Sequence, residues 1–260
     1  MIGERTRVVE ALARGGCVAP EAEADALLGA SGEGLAPVDE LVARRLRGEP
    51  LPWITGWFRF CGLRVHVDRG VFVARSHTEA LAQRAAELLS DRGTAVDLCT
   101  GSGAVAAVLR ALRPQAEVLA TDIDPKAIAC ARRNGVLAFE GDLDEPLPSS
   151  VRGRVDVVTA VVPYVPTDEM HLLPRDVLAH EPPGALDGGP GGTAVLTRAV
   201  EAAARLLAPG GSVLLELGGD QAAEVATVSA ELGLGEARVH RDGDGRDRAI
   251  EARRPGSPNA

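Results

Sequence analysis

The run Asp97-Leu98-Cys99-Thr100-Gly101-Ser102-Gly103 lies between a short apolar segment and the Ala- and Val-rich stretch AVAAVLRAL. Glycines at such a strand-to-helix turn let the backbone approach a ligand closely, and the helix start presents unpaired N–H groups. A second acid, Asp122, closes the next apolar segment about twenty residues on, where a carboxylate can take both hydroxyls of an adenosine ribose. Together these residues imply a nucleoside-type cofactor. A dinucleotide fingerprint wants a third glycine where this chain has Ala106, an allowed variant. The Asp97 start and the Thr-Gly-Ser-Gly run favour S-adenosyl-L-methionine instead. Asp142, in Glu140-Gly141-Asp142-Leu143, is placed to reach the adenine amino group while Leu143 covers the ring. Asp124 reads as the cap of a helix beginning at Pro125.

These groups need a frame, and the pattern around them supplies one. From residue 94 the chain alternates strand and helix: TAVDLCT, AVAAVLRALRP, EVLATDID, PKAIACARRNG, VLAFEGD and VDVVTAVV. A loop rich in Pro and Gly fills about 163–192, then TAVLTRAVEAAARLLAPGG, SVLLELG and QAAEVATVSAELG continue the alternation. EARVHRD and DRAIEARR close it as an antiparallel hairpin around DGDG. Repeated βαβ units predict a doubly wound, mostly parallel α/β sheet. Residues 1–48 read as a small helical domain, 49–75 as a β-hairpin linker, 76–253 as the sheet domain and 254–260 as a disordered tail.

Composition narrows the function classes. The chain has 260 residues, 45% hydrophobic and 25% charged, which suits a globular core and excludes disorder as a description of the whole. A net charge of −9 and only 3% aromatics disfavour direct nucleic-acid binding. No run approaches the ~18 apolar residues of a membrane span, and MIGERTRVVEAL lacks an apolar signal core, so a cytoplasmic protein is expected. Cys17, Cys61, Cys99 and Cys130 form no C-x-x-C pair, and the five histidines show no ligand spacing, so no metal site is expected. Asp242-Gly243-Asp244-Gly245-Arg246-Asp247 resembles the start of a calcium loop, but Arg246 stands where a ligand belongs and a hairpin turn is expected.

As a set, EPLPWITGWFRFCGLRVHVDRGVFVARSHTE, DLCTGSGAVA, TDIDPKAIACARRNG, EGDL, VDVVTAVVPYVP, HEPPGALDGGPGG, LLAPGGSVLLELGGDQ and GRDR resemble successive blocks of the HemK/PrmC family of protein-glutamine methyltransferases. The resemblance implies a class I S-adenosylmethionine-dependent fold with a seven-stranded sheet. It also implies a helical domain that helps bind the substrate, in that family the glutamine of a Gly-Gly-Gln loop in class 1 release factors. On this reading Asp97, Cys99, Thr100, Gly101, Ser102, Gly103, Asp122, Ile123, Asp142, Leu143 and Val161 hold the cofactor, and Val161, Pro163 and Tyr164 form the catalytic slot. The chain departs from the family where acceptor chemistry is decided. The family's Asn-Pro-Pro-Tyr is Val161-Val162-Pro163-Tyr164, so the Asn that pairs with the glutamine amide is absent. The first glycine of the cofactor loop is Cys99, and Pro-Arg-Pro-Glu-Thr-Glu is Ala74-Arg75-Ser76-His77-Thr78-Glu79. These changes predict an acceptor less polar than a glutamine amide. Alternatives are a small-molecule substrate or another reaction on the same fold, and a non-catalytic cofactor-binding module whose helical domain holds a partner. An oxidoreductase fits poorly, because no separate nicotinamide-substrate domain is visible.

Overall fold

The computed structural model describes residues 2–256. Its amino-terminal unit packs helices α1 (Ile2–Arg14), α2 (Pro20–Gly32) and α3 (Val38–Leu46) around Val8, Leu12, Leu27, Leu41 and Val42. The short α4 (Leu51–Thr55) straddles two cores. Ile54 packs with the helical cluster, which therefore extends past residue 48, while Trp53 joins the main core and donates its indole N–H to Val71 O at 2.9 Å.

The expected hairpin forms from β1 (Trp57–Phe60) and β2 (Leu63–His66), paired antiparallel. Cys61 and Gly62 both take positive φ, the geometry that lets a two-residue turn follow strand twist. Far from being a free linker, the hairpin buries Phe58, Phe60 and Val65 in the main core.

Beyond α5 (Thr78–Leu88), the order is β3 (Thr94–Leu98), α6 (Ala104–Leu112), β4 (Glu117–Asp122), α7 (Pro125–Arg133), β5 (Leu137–Glu140) and β6 (Val155–Ala160). Then come α8 (Arg175–His180), α9 (Ala194–Leu206), β7 (Leu207–Glu216), α10 (Ala222–Glu231), β8 (Gly235–Arg241) and β9 (Asp247–Arg253). The seven strands lie in the order β5-β4-β3-β6-β7-β9-β8, all in one direction except β9, which runs antiparallel between β7 and β8. Both faces are covered, as continuous Val, Ile and Leu runs require. Ala95, Val118, Ala120 and Leu214 face α5–α7 and the hairpin, whereas Val96, Leu98, Leu119 and Leu215 face α9 and α10. On α9 the stripe Leu196, Ala199, Val200, Ala203 and Leu206 follows helical spacing and is fully buried.

Two expectations change. The loop at 163–192 carries short 3₁₀ turns and α8, held by their own backbone bonds. Arg254 is not part of a disordered tail: its N–H bonds Gly211 O at 2.8 Å and its guanidinium reaches Leu207 O at 2.7 Å. Residues 257–260 of the expected tail lie outside the described residues.

Asn134, just past α7, ties the hairpin to the glycine turn. Its side chain accepts from His66 N and donates to His66 O and to Ser102 O, each at 2.8 Å. Removing three such bonds at about 1 kcal/mol each, at roughly 2–4 °C per kcal/mol in a chain this size, predicts that Asn134→Ala lowers the calorimetric melting temperature by roughly 6–12 °C. An unchanged melting temperature would show that the clamp carries no load.

Candidate active site

At β3 the strand order reverses, since β4 lies on one side and β6 on the other, and the crevice at their carboxyl ends is where open α/β sheets bind ligands. A cavity of about 210 Å³ opens there. The glycine turn contributes Asp97, Cys99, Thr100, Gly101 and Ser102; the end of β4 contributes Asp122, Ile123 and Asp124. The end of β6 adds Val161 and Pro163, and Phe72 and Ala185 close the mouth.

Asp97 is 1% exposed and accepts from Thr100 Oγ1 at 2.6 Å and Thr159 Oγ1 at 2.7 Å. Burial outweighs those two bonds and pushes its pKa up to about 6. Asp122 accepts from the backbone N–H of Gly101 at 2.8 Å and of Asp124 at 2.9 Å, and burial raises its pKa also. Each oxygen keeps a lone pair for a further donor. Asp124 caps α7 by accepting from Lys126 N. Ile123 is 72% exposed at the rim, an apolar surface on which a flat ring can lie. Cys99 takes φ +53°, a left-handed conformation suited to glycine, and burial together with the surrounding carboxylates pushes its thiol up, so it is a neutral wall group. Ser102 Oγ is buried without a partner among the described residues, an orphaned donor beside the cavity.

Three other candidate residues lie elsewhere. Gly103 serves packing: at φ +80° a Cβ would meet Ala131 Cβ at 3.0 Å and Val136 Cγ2 at 3.1 Å, so the glycine lets α6 approach α7. Leu143 is buried in the cluster beneath α9, and the Asp142 carboxylate is engaged by Arg198. None of the three lines the cavity.

Tyr164 instead lines a second, larger cavity of about 500 Å³, which shares Phe72, Val161 and Ala185 with the first. Its hydroxyl donates to Glu216 Oε1 at 3.1 Å, and burial and that carboxylate push the phenol's pKa up, so it stays protonated. Glu216 is 1% exposed and also accepts from Thr78 Oγ1 at 2.6 Å, with His77 Nε2 at 3.2 Å. Gln221 fixes the same loop, donating to Tyr164 O at 2.7 Å and accepting from Gly218 N at 3.0 Å. Sequence reasoning did not place His77, Thr78, Glu216 or Gln221 in the site. The altered 74–79 block was the available signal for His77; nothing local marks Glu216. At the hairpin, His66, Asp68 and Cys130 converge, but Arg133 donates to Asp68 at 2.8 Å and already supplies the positive charge a cation would bring. Among the described residues no helix is long and apolar enough to cross a membrane.

A carboxyl-end crevice with a glycine turn, a buried acid behind it and a second acid one strand over, on this sheet order, defines a class I S-adenosylmethionine-dependent methyltransferase. The family model for the methyltransferase small domain matches residues 62–140. In fold the chain is similar to a methyltransferase from Pyrococcus furiosus, with a TM-score of 0.54 at 19% identity over 75% of this chain and 90% of that one. Among curated relatives, the release factor glutamine methyltransferase of Moorella thermoacetica is 36% identical over 95% of each chain. That of Geobacter sulfurreducens is 36% identical over 85% of this chain and 79% of its own. The chain belongs to the release factor glutamine methyltransferase family.

The raised Asp97 pKa carries a signed prediction. Between about 4 and 6 the folded state keeps a proton that the unfolded chain has released, so this group's contribution falls as pH rises through that window and stays low above it. Asp97→Asn removes the penalty, and its stability relative to wild type, measured by denaturant unfolding without cofactor, is expected to be about 1 kcal/mol more favourable at pH 8 than at pH 5. A pH-independent difference would place the carboxylate in contact with water.

Proposed function

We propose that this methyltransferase carries its donor in the first cavity and its acceptor in the second, with the methyl crossing at the wall they share, and that the acceptor is not a glutamine amide. When bound, S-adenosylmethionine supplies an electrophilic methyl group on a sulfonium sulfur. The residues present fit it: Asp122 would take the ribose hydroxyls, Ile123 would cover the adenine, and Gly101 and Ser102 would lie against the methionine chain. Asp97 sets a buried negative charge beneath the cationic methionine end. Asp142, held by Arg198, and Leu143 support this wall from outside. Methyl transfer needs no covalent enzyme intermediate, so the protein contributes alignment and exclusion of water. In this reading residues 1–48, with the α4 residues that pack on them, dock a macromolecular substrate.

The observation that carries the reading is Val161, which lines both cavities at the position where the family's loop has its Asn. A glutamine amide entering here loses water and meets an isopropyl group, at about 1–3 kcal/mol for each unpaired polar group. Tyr164 cannot replace the lost donor, because its one proton is given to Glu216. Release factors, the substrates named for the relatives, are therefore expected to be methylated slowly.

Two measurements test this. Asp122→Ala should weaken S-adenosylmethionine binding in calorimetry by ~1.5–3 kcal/mol, roughly 10- to 150-fold; unchanged affinity would remove Asp122 from the cofactor site. With a Gly-Gly-Gln release factor as acceptor, Val161→Asn combined with Val162→Pro should raise labelled methyl transfer at least about tenfold over wild type. Efficient wild-type transfer that the double substitution does not improve would restore the glutamine as the natural acceptor.

A further inference from the structure

Two exchanges relative to the family fall in the same cavity. Val161 removes an amide-pairing group, and His77, in the altered 74–79 block, brings an imidazole to the lining of the same 500 Å³ space. Much of that lining is apolar, with Phe72, Val162, Val165, Leu173, Val177 and Leu186, and Arg75 and Ser76 add polar groups. Arg75 is occupied, donating to the buried Glu181 at 2.7 Å.

His77 is not loose in this space. Its Nε2 lies 3.2 Å from Glu216 Oε1, so Nε2–H is the donor that faces the carboxylate and Nδ1 is turned away from it. Among the described residues no hydrogen bond engages Nδ1. Tyr164 is a fixed donor to the same carboxylate and cannot serve as a base. From the far side, across a small cavity of about 160 Å³, His77 faces Arg84, His240, Arg241, Asp242 and Arg248. These are paired among themselves or with Glu251 and Asp247: Arg84 and His240 with Glu251, Arg241 with Asp247, and Arg248 with Asp242.

We propose that His77, oriented by Glu216, is the general base of this enzyme and that the acceptor is a phenolic hydroxyl. This rests on the reading that the second cavity receives the acceptor. An aromatic ring suits the apolar walls and asks nothing of Val161, and a phenol, with a pKa near 10, is acidic enough for an imidazole to take its proton as the oxygen attacks. In the step, the phenol oxygen forms the O–CH₃ bond while the S–CH₃ bond breaks, its electron pair staying on sulfur, which becomes a neutral thioether. The phenolic proton passes to His77 Nδ1, and the resulting imidazolium faces Glu216.

The test begins with a readout that does not depend on turnover. In full-length protein bearing ¹⁵N-histidine and saturated with S-adenosylhomocysteine, the His77 signals, assigned by their loss in His77→Gln, should show a protonated Nε2 and a bare Nδ1. Either p-cresol or a tyrosine-containing peptide should shift Nδ1, and Glu216→Gln should abolish the single tautomer. Labelled methyl transfer to the probe that binds should fall at least about 100-fold in His77→Gln with cofactor affinity unchanged. Response to the peptide alone assigns a protein-borne tyrosine, and response to p-cresol alone assigns a free phenol; both support the proposal. A protonated Nδ1, or no shift with either probe, overturns it. If Nδ1 is silent and wild type also methylates a Gly-Gly-Gln release factor efficiently, the acceptor reading itself has failed; if that factor is a poor substrate, only the phenol and His77 assignment has.

Discussion

At the carboxyl end of β7 the buried carboxylate of Glu216 is met from three directions: by Thr78 at the start of α5, by His77 just before it and by Tyr164 from the loop after β6. A bare charge at this depth would cost several kcal/mol and would not persist, so the carboxylate is tenable only while the surrounding segments supply its donors. The dependence is mutual. Segments 138 and 52 residues away in sequence are drawn to one point, and that point fixes one end of the second cavity and which nitrogen of His77 meets the carboxylate.

The donor side obeys a different constraint. There the strands reverse order, two loops part, and the backbone rather than long side chains forms the cradle. Asp97 and Asp122 are held at depth by hydroxyls and backbone N–H groups, and among the described residues no ion pair engages either carboxylate. In the free protein that is an unfavourable arrangement, which a ligand carrying positive charge and hydroxyl donors would relieve. Stability is given up locally in return for affinity, the balance expected of a preorganised site.

Much of the frame was legible in the sequence because its signals are local. The alternation of Val-rich runs with Ala-rich amphipathic stretches fixes the strands and helices, and Asp124 with Pro125 marks a helix start. The glycine turn and Asp122 are recognisable because their placement at neighbouring strand ends depends on backbone spacing within one βαβ unit. Asp142 and Leu143 were harder to place: their spacing puts them at the right strand end, but Arg198 on α9, invisible locally, claims the carboxylate. Likewise Gly103 reads as a ligand contact by spacing, whereas the proximity of Ala131 makes it a packing residue. His77, Glu216 and Gln221 escaped notice because their meaning arises only where distant segments meet. The 163–192 stretch, rich in Pro and Gly, gives no period from which its short helix could be read.

Gln221 holds the loop through main-chain atoms alone: the carbonyls of Tyr164 and Gly191 and the N–H of Gly218. An anchor that grips only backbone is indifferent to which side chains the gripped residues carry. Natural selection can therefore exchange residues along this rim, as at position 161, without first loosening the rim itself. A side chain can thus change on this rim while the main-chain frame that shapes the second cavity stays in place.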